Sequence, residues 1–409
     1  MSRSKLFSKN SKRTGNRSHG CRCSCICLPA AESNRYFHLL ERHPYLCSLF
    51  VCLLLNALYF GGEAYLAQNA VLLETLALLA AGAAVLWRLV RYQPQKKLAA
   101  VCVSVGYTLL VLTGAWCYHE ARHSGLWVLV GGCAVLSGLF WLTRKQYHNQ
   151  RRRVSLLLLG TSFLLKFFYV CYTPITRRQH DVGKFGDADN HAGYITYLLQ
   201  HYRLPDFDPR GHWQFYHPPL HHMISALWLW LSEHVFGISN AAAQESLQTL
   251  SLFYAMAIVI TAYRILRHFR LEGMALYAPL AVVAFHPGFI LFSGSINNDA
   301  LSVVFILGAV LWTLKWYEKQ TWEGIVKIAL CIGLGMMTKL SAAMVAIPVA
   351  AVFLVVLARQ LRQRNWRILG QLGGFAVICF PLGLWYPVRN LVRFGVPLTY
   401  VQEMPENSV

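Results

Sequence analysis

Charged residues are scarce in this sequence of 409 residues. They make up only 14% of the chain, whereas hydrophobic residues make up 56%. About a quarter of a typical soluble domain is charged, so the deficit excludes a water-soluble domain of this size. The apolar residues fall in blocks of roughly 20, the length at which a helix crosses about 30 Å of hydrocarbon. The sequence therefore predicts an all-α, multi-pass membrane protein.

Other features are missing as well. The first long apolar run starts near residue 44, which is too late for a cleavable signal peptide. Most of the twelve cysteines lie inside apolar runs, where cysteine acts as a small hydrophobe, so no disulfide framework is expected. The net charge is +20, but the basic residues do not gather on one face. We therefore expect no nucleic-acid partner.

Apolar blocks and their flanks predict eleven membrane crossings. They cover residues 44–61, 70–91, 98–118, 126–143, 154–172, 246–266, 274–293, 300–316, 325–337, 340–357 and 368–388. The chain then divides into a disordered basic tail (1–43), four accessory helices (44–153), a transmembrane core with an external loop at 173–245 (154–400), and a short tail (401–409).

Lysine and arginine counts predict the orientation, because short cytoplasmic loops accumulate positive charge. With the N-terminus in the cytoplasm, inside segments hold 28 of the 38 basic residues, and outside segments hold 12 of the 18 acidic ones. The basic surplus is then an orientation signal, with membrane lipids, some of them anionic, as partners. We favour a bacterial plasma membrane, with the membrane of the endoplasmic reticulum as the alternative.

The external loop has a composition that hydrophobic folding does not require. Seven of the sixteen histidines and five aspartates lie between residues 180 and 222. Asp187 and Asp189 come just before a predicted amphipathic helix that contains His191, and Asp181 lies a few residues earlier. An aspartate at such a place is often only a helix cap. A catalytic carboxylate is the other interpretation.

A second predicted external helix, 220–236, begins after paired prolines. The preceding segment contains Tyr216 and His217, and the helix opens with His221 and His222. Its tryptophans favour the headgroup region, so we predict an amphipathic helix on the outer leaflet. A further crossing is the alternative, but it would move all later basic loops to the outside.

Further polar residues are predicted on the same side of the membrane. Asn298 and Asp299 begin one span, Lys339 lies at an outer hairpin, and Arg389 follows the last span. Charged groups at membrane depth are costly and often functional. Singly, the first two residues fit a helix cap, and Lys339 fits a side chain that snorkels to the interface. Together they predict a shared site with acids for proton transfer and cations for a phosphate.

These motifs, in this order, resemble the GT-C superfamily of integral membrane glycosyltransferases. The resemblance is to its protein O-mannosyltransferase and aminoarabinose transferase branch. It rests on five segments between residues 154 and 400: the acidic motif at 187–189, Tyr216–Leu220, Ser293–Asp299, Thr338–Lys339, and Trp385–Asn390 with Gly395–Leu398. Pro-Pro-Leu is common by itself, so the match depends on the order and the topology.

The resemblance implies transfer of a sugar from a polyprenyl-phosphate carrier to an acceptor at the outer or lumenal face. An Asp general base and inversion are implied, and the base maps to Asp187 or Asp189, with Asp181 as a rival. The chain has Asp-Ala-Asp where the family has adjacent acids. The carrier phosphate maps to Arg389 and Lys339, with Arg177 and Arg178 as further candidates. Substrate-positioning candidates are His191, Tyr216, His217, His221, His222, Asn298 and Asp299.

The rival hypothesis is a polytopic transporter or a metal-binding membrane protein that uses the external His/Asp loop. No internal repeat of the kind that transporters favour is evident. The histidines leave room for a divalent metal, but we assign no metal and no cofactor. Relatives implied by the resemblance continue beyond residue 400, so we expect either a fragment or a short member. The donor sugar and the acceptor are not readable from the sequence.

Overall fold

The computed structural model describes residues 42–56, 150–173, 175, 182–398 and 400–402. Every regular element in these ranges is helical, which confirms the all-α fold class. The predicted spans 70–91, 98–118 and 126–143, and nearly all of the N-terminal tail, lie outside the described residues. The chain divides into two units, Met1–Pro44 and Tyr45–Val409, and nearly all of the described residues belong to the second unit.

The α-helices of the described ranges are numbered in chain order. They are α1 (Pro44–Leu55), α2 (Gln150–Tyr172), α3 (Asn190–His201), α4 (Leu220–His234), α5 (Asn240–His268), α6 (Met274–Phe285), α7 (Pro287–Phe292), α8 (Asp299–Glu318), α9 (Trp322–Thr338), α10 (Ala346–Arg362) and α11 (Arg367–Phe394). Two 3-10 helices cover Pro209–Gly211 and Leu340–Val345.

Within the described part of the chain, four helical segments are both long and apolar enough to cross a membrane. They are α5, α8, the continuous stretch Leu340–Arg362 that ends with α10, and α11. Each corresponds to a predicted span, with ends that differ by a few residues, and the polar step at Thr338–Lys339 does separate two helices as predicted. The apolar composition and these helices support a membrane protein. The predicted total of eleven crossings extends beyond the described residues and stays a prediction.

The predicted span 274–293 is not one helix but two. Helix α6 ends at Phe285 and α7 begins at Pro287. Proline has no backbone N–H and disfavours helical geometry in the residue before it. His286 accordingly is extended, with ψ at 124°, and its Nδ1 accepts a hydrogen bond from the Gly288 N–H at 3.1 Å. The prediction of one continuous helix was wrong, because hydropathy averaged over the span is hardly changed by one proline.

Lys166 of α2 is buried beside this break. Its Nζ donates to the Ser162 hydroxyl and to the Ala284 carbonyl of α6, both at 2.7 Å. The Ser162 hydroxyl donates to the same carbonyl at 2.8 Å. The last carbonyls of a helix lack partners within it and carry partial negative charge. The ammonium therefore stabilises the end of α6, which supports a structural role for this intramembrane cation.

Helices α8 to α11 share one apolar core. Trp316 is fully buried there and donates its indole N–H to Gln371 of α11 at 2.8 Å. Helices α9 and α11 approach so closely that a Cβ on Gly333 would lie 2.8 Å from the Leu382 Cβ and 3.2 Å from the Cys379 carbonyl. Small residues allow such close backbone contact between helices in a membrane.

The external helices pack on the outer part of α5 around a second core. Tyr194, Ile195 and Phe215 are buried there, each with 2% or less of its surface exposed. The outward face of α4 is apolar, with Met223 47% and Leu227 57% exposed. An exposed apolar face on a helix outside the spans fits the predicted contact with the outer leaflet.

We expect Gly333→Ala to lower the unfolding temperature in detergent. The added methyl group meets the Cys379 carbonyl and the Leu382 Cβ, neither of which can move without shifting the backbone, and such overpacking costs about 1–3 kcal/mol. Gly373→Ala is the matched control, because nothing lies within 4 Å of a Cβ at that position of α11. An equal loss of stability in both variants would contradict the close packing of α9 on α11.

Candidate functional site

Four histidine side chains pack together where the external helices meet. His191 lies in the first turn of α3, His217 in the loop before α4, and His221 and His222 in the first turn of α4. Each has 7% or less of its surface exposed. The two prolines before α4 fix the start of that helix, and both of its consecutive histidines are buried.

His191 is central to this histidine cluster. Its Nδ1 lies 2.8 Å from the His222 Nε2, so one of these nitrogens carries the hydrogen and donates a hydrogen bond to the other. Its ring centroid is 5.9 Å from that of His217, in a stacked arrangement, and 6.4 Å from that of His221. The structure therefore brings together four of the residues that the sequence predicted as substrate-positioning.

The histidine cluster is uncharged at neutral pH. Burial, reinforced by Lys339 and His221, lowers the pKa of His217 to about 3. Burial lowers the pKa of His221 to about 4. Burial and the neighbouring imidazoles hold the pKa of His191 and of His222 well below the usual range. Four neutral rings can offer hydrogen bonds to a ligand without attracting an anion.

Some ring nitrogens of the cluster are poorly satisfied. Neither nitrogen of His221 has a well-formed hydrogen bond, although the backbone of Ile296 interacts with the ring. The His222 Nδ1 also has no well-formed hydrogen bond, although the backbone of Pro218 interacts with this ring. Among the described residues, no three His, Cys, Asp or Glu side chains are arranged as metal ligands.

Lys339 and Asp299 form an ion pair at the edge of the cluster. Asp299 opens α8 and Lys339 follows α9, and the two side chains are in direct contact. Asn298 donates from Nδ2 to the Thr338 carbonyl at 3.1 Å, which fixes the same two segments to each other. Lys339 is near enough to His217 and His191 to disfavour their protonation. Two motifs that are distant in sequence therefore border the histidines.

The two described candidate bases have different surroundings. Asp189 accepts a hydrogen bond from the Trp213 N–H at 3.0 Å and lies 3.3 Å from the His212 Nδ1, but its side chain makes no capping bond to α3. Asp187 is exposed and accepts one bond, from the Lys184 N–H at 3.2 Å. Gly193 allows the segment with Asp187 and Asp189 to pack closely on α3, since a Cβ at position 193 would be 2.7 Å from the Asp187 carbonyl.

Arg389 joins the outer end of α11 to the external loop. It donates from Nη2 to the Pro205 carbonyl at 2.6 Å and from Nη1 to the Asn390 Oδ1 at 3.0 Å. The Asp206 carboxylate is 3.8 Å away and is also paired with Arg393. The Arg389 guanidinium therefore already contacts Pro205 and Asp206, and the sequence analysis did not predict this contact.

A cleft opens between three segments that carry the sequence motifs. It encloses about 50 Å³ and is open on one side. Its lining consists of Tyr216, His217 and Pro218 from the external loop, Leu340 next to Lys339, Tyr386, Pro387 and Asn390 from α11, and Val396, Pro397, Leu398 and Tyr400 beyond it. No charged side chain of the described residues lines this cleft.

Sequence reasoning missed several lining residues. Tyr386 and Asn390 lie within the Trp385–Asn390 motif, but only Arg389 was selected from it because it is charged. Tyr400 packs edge-on against Tyr216, with ring centroids 5.6 Å apart. A preference for titratable residues overlooks such neutral groups.

Three predicted site residues, Asp181, Arg177 and Arg178, lie outside the described residues. Asp187 contacts the loop at Lys184, whereas Lys339 contacts Asp299, and Arg389 contacts the 205–206 turn. The histidines, Asn298, Asp299 and Lys339 thus form one group. The assignment of Asp187, Asp189 and Arg389 to that group stays a prediction.

Residues 217–385 match the family described as dolichyl-phosphate-mannose-protein mannosyltransferase. The match confirms the resemblance to the GT-C superfamily and supports, at a general level, glycosyltransferase activity with a polyprenyl-phosphate-linked sugar donor. The matched range includes Lys339 and three residues of the cleft, His217, Pro218 and Leu340. Tyr216 and the cleft residues from Tyr386 onward lie outside it, as do Asp187, Asp189 and Arg389. No curated protein and no solved structure matches the chain.

We expect the external helices to lose stability as the pH falls below about 6.5, the usual pKa of histidine. In the folded protein the pKa values of His217 and His221 are about 3 and about 4, so in this range only the unfolded chain takes up protons. Each such group removes about 1.4 kcal/mol of unfolding free energy per pH unit. The loss continues to about pH 4 for His221 and to about pH 3 for His217.

Unfolding temperatures between pH 7.5 and pH 5 measure this effect. His217→Gln should reduce the slope with pH, because one buried imidazole is removed. His201→Gln is the control, since His201 is exposed on α3 and its replacement should leave the slope unchanged. A wild-type unfolding temperature that does not fall with acidification would show that the cluster is not buried in neutral form.

Proposed function

We propose that this protein transfers a sugar from a polyprenyl-phosphate-linked donor to an acceptor at the outer or lumenal face of the membrane. One observation carries the proposal. The cleft is lined by residues from two of the five segments that carry the resemblance, Tyr216–Leu220 and Trp385–Asn390 with Gly395–Leu398, and by Leu340, which follows a third, Thr338–Lys339. Segments that are far apart in the sequence thus contribute to one opening, where α11 ends and the stretch Leu340–Arg362 begins.

Lys339 and Arg389 hold the carrier phosphate in this proposal. Both are sequence neighbours of residues that line the cleft, Leu340 and Asn390. The Arg389 guanidinium also lies 5.9 Å from the ring centroid of Tyr386, which is part of the cleft wall. Cations fixed next to a site of low dielectric stabilise negative charge as it develops on a leaving phosphate. The ion pair with Asp299 keeps Lys339 in place while leaving it partly exposed.

Asp187 is the general base that we favour among the three candidates. It is exposed and accepts only one local hydrogen bond, whereas Asp189 is engaged by Trp213 and His212. The carboxylate takes the proton of the acceptor hydroxyl as the acceptor oxygen bonds to the anomeric carbon. The bond from that carbon to the phosphate oxygen breaks, and polyprenyl phosphate leaves with the electron pair. A single displacement of this kind inverts the anomeric centre.

Purified protein in proteoliposomes is expected to consume a polyprenyl-phosphate sugar from a panel of donors. Lys339→Gln and Arg389→Gln should each lower turnover by about 10² to 10³, the cost of removing one preorganised group that stabilises developing charge. Lys319→Gln is the control, because this exposed lysine follows α8 at its other end. If no donor of the panel is consumed, or if all three variants lose activity equally, the proposal fails.

The three candidate bases are separated by single amide replacements. We expect Asp187→Asn to reduce the rate of transfer by about 10² to 10⁴, the usual contribution of a general base. Asp189→Asn should cost less, because an amide oxygen still accepts the Trp213 hydrogen bond. A large loss with Asp181→Asn alone would move the role to that residue, and full activity in all three variants would exclude an aspartate base.

A further inference from the structure

The Tyr386 hydroxyl connects α11 to the loop that forms the opposite wall of the cleft. Tyr386 has 1% of its surface exposed, and its hydroxyl lies 3.1 Å from the Phe215 carbonyl and 3.1 Å from the Tyr194 hydroxyl. A phenol has one proton to donate, and a carbonyl can only accept. Tyr386 therefore donates to Phe215, and Tyr194 donates to Tyr386.

Tyr386 and Tyr194 both contact Phe215, Tyr386 at the backbone carbonyl and Tyr194 at the ring. The Tyr194 ring stacks on the Phe215 ring with centroids 4.6 Å apart, and its other neighbour is the His222 ring at 4.2 Å. The Phe215 side chain is thus held by Tyr194, and its carbonyl is held by Tyr386. The next two residues are Tyr216 and His217, which line the cleft.

We infer that Tyr386 is a positioning residue for the transfer reaction, acting through the Phe215 carbonyl on Tyr216 and His217. The inference rests on the proposed function and adds a residue to it. A phenylalanine would fill the same volume and preserve the wall of the cleft, so the hydroxyl contributes its hydrogen bonds, which include a contact with the Asn390 side chain, rather than packing. Displacements of about 1 Å at residues that position a substrate can cost up to about 10² in rate.

The test compares Tyr386→Phe with Tyr194→Phe and with the double variant in the donor-consumption assay. Tyr386→Phe leaves the Phe215 carbonyl without its donor, and we expect kcat to fall about tenfold with little change in the KM for the donor. Tyr194→Phe keeps the bond to Phe215 and should lower kcat less. The double variant should be no slower than Tyr386→Phe alone, because both changes act on one chain of hydrogen bonds.

Tyr45→Phe is the matched control for the loss of a tyrosine hydroxyl. Tyr45 shares a hydrogen bond of 2.9 Å with Thr261 of α5, away from the residues that line the cleft. It should leave kcat unchanged. Hydrogen–deuterium exchange gives a second readout that does not depend on activity: Tyr386→Phe should speed exchange of the amides at 215–217, and Tyr45→Phe should not.

The possible failures are distinguishable. If the unchanged protein consumes no donor, the proposed function fails. If it does consume donor while Tyr386→Phe retains its kcat and its exchange pattern, only the inference is overturned. Independent losses in the two single variants that multiply in the double variant would also overturn it, because the hydroxyls would then act separately.

Discussion

The attachment of the loop at 202–219 to the C-terminal end of α11 is the constraint on which the candidate site depends. Arg389 bonds the Pro205 carbonyl, Tyr386 bonds the Phe215 carbonyl, and Arg210 donates from Nη2 to the Phe394 carbonyl at 3.0 Å. Each bond satisfies a backbone carbonyl of a non-helical segment or of a helix end, groups that otherwise lack partners. The cleft exists because the loop and the helix satisfy each other's polar groups there.

Neutral and charged side chains occupy different places around this attachment. The buried imidazoles are neutral because burial disfavours their protonated form, and Lys339 strengthens that effect on His217. The cations lie at the border, where Lys339 pairs with Asp299 and Arg389 with the 205–206 turn. Such an arrangement suits a substrate with an uncharged part and a phosphate, since each part meets a matching environment.

Much of this architecture was predictable from hydrophobic periodicity and order of motifs. The spans α5, α8 and α11, the two external helices and the step at Lys339 follow from composition over windows of a dozen residues or more. The prediction missed the break at Pro287, because hydropathy averaged over such a window is hardly changed by a single proline. The Tyr386 contacts were not predictable, since they join residues 171 and 192 positions apart and no local pattern encodes them. The amphipathic character of α4 was predictable, but His221 and His222 in its first turn are buried rather than exposed to solvent.

The buried lysine at the break between α6 and α7 has a mechanical consequence. A proline elbow in a membrane helix can act as a hinge, but here Lys166 of α2 donates from its ammonium to the Ala284 carbonyl just before the elbow. After the elbow, the Ser293 hydroxyl donates to the Ile290 carbonyl at 2.6 Å and lies 3.3 Å from the Lys166 carbonyl. The elbow is therefore clamped from a neighbouring helix and cannot flex alone. Any bending of this elbow would therefore have to move α2 with it or break the Lys166 hydrogen bond.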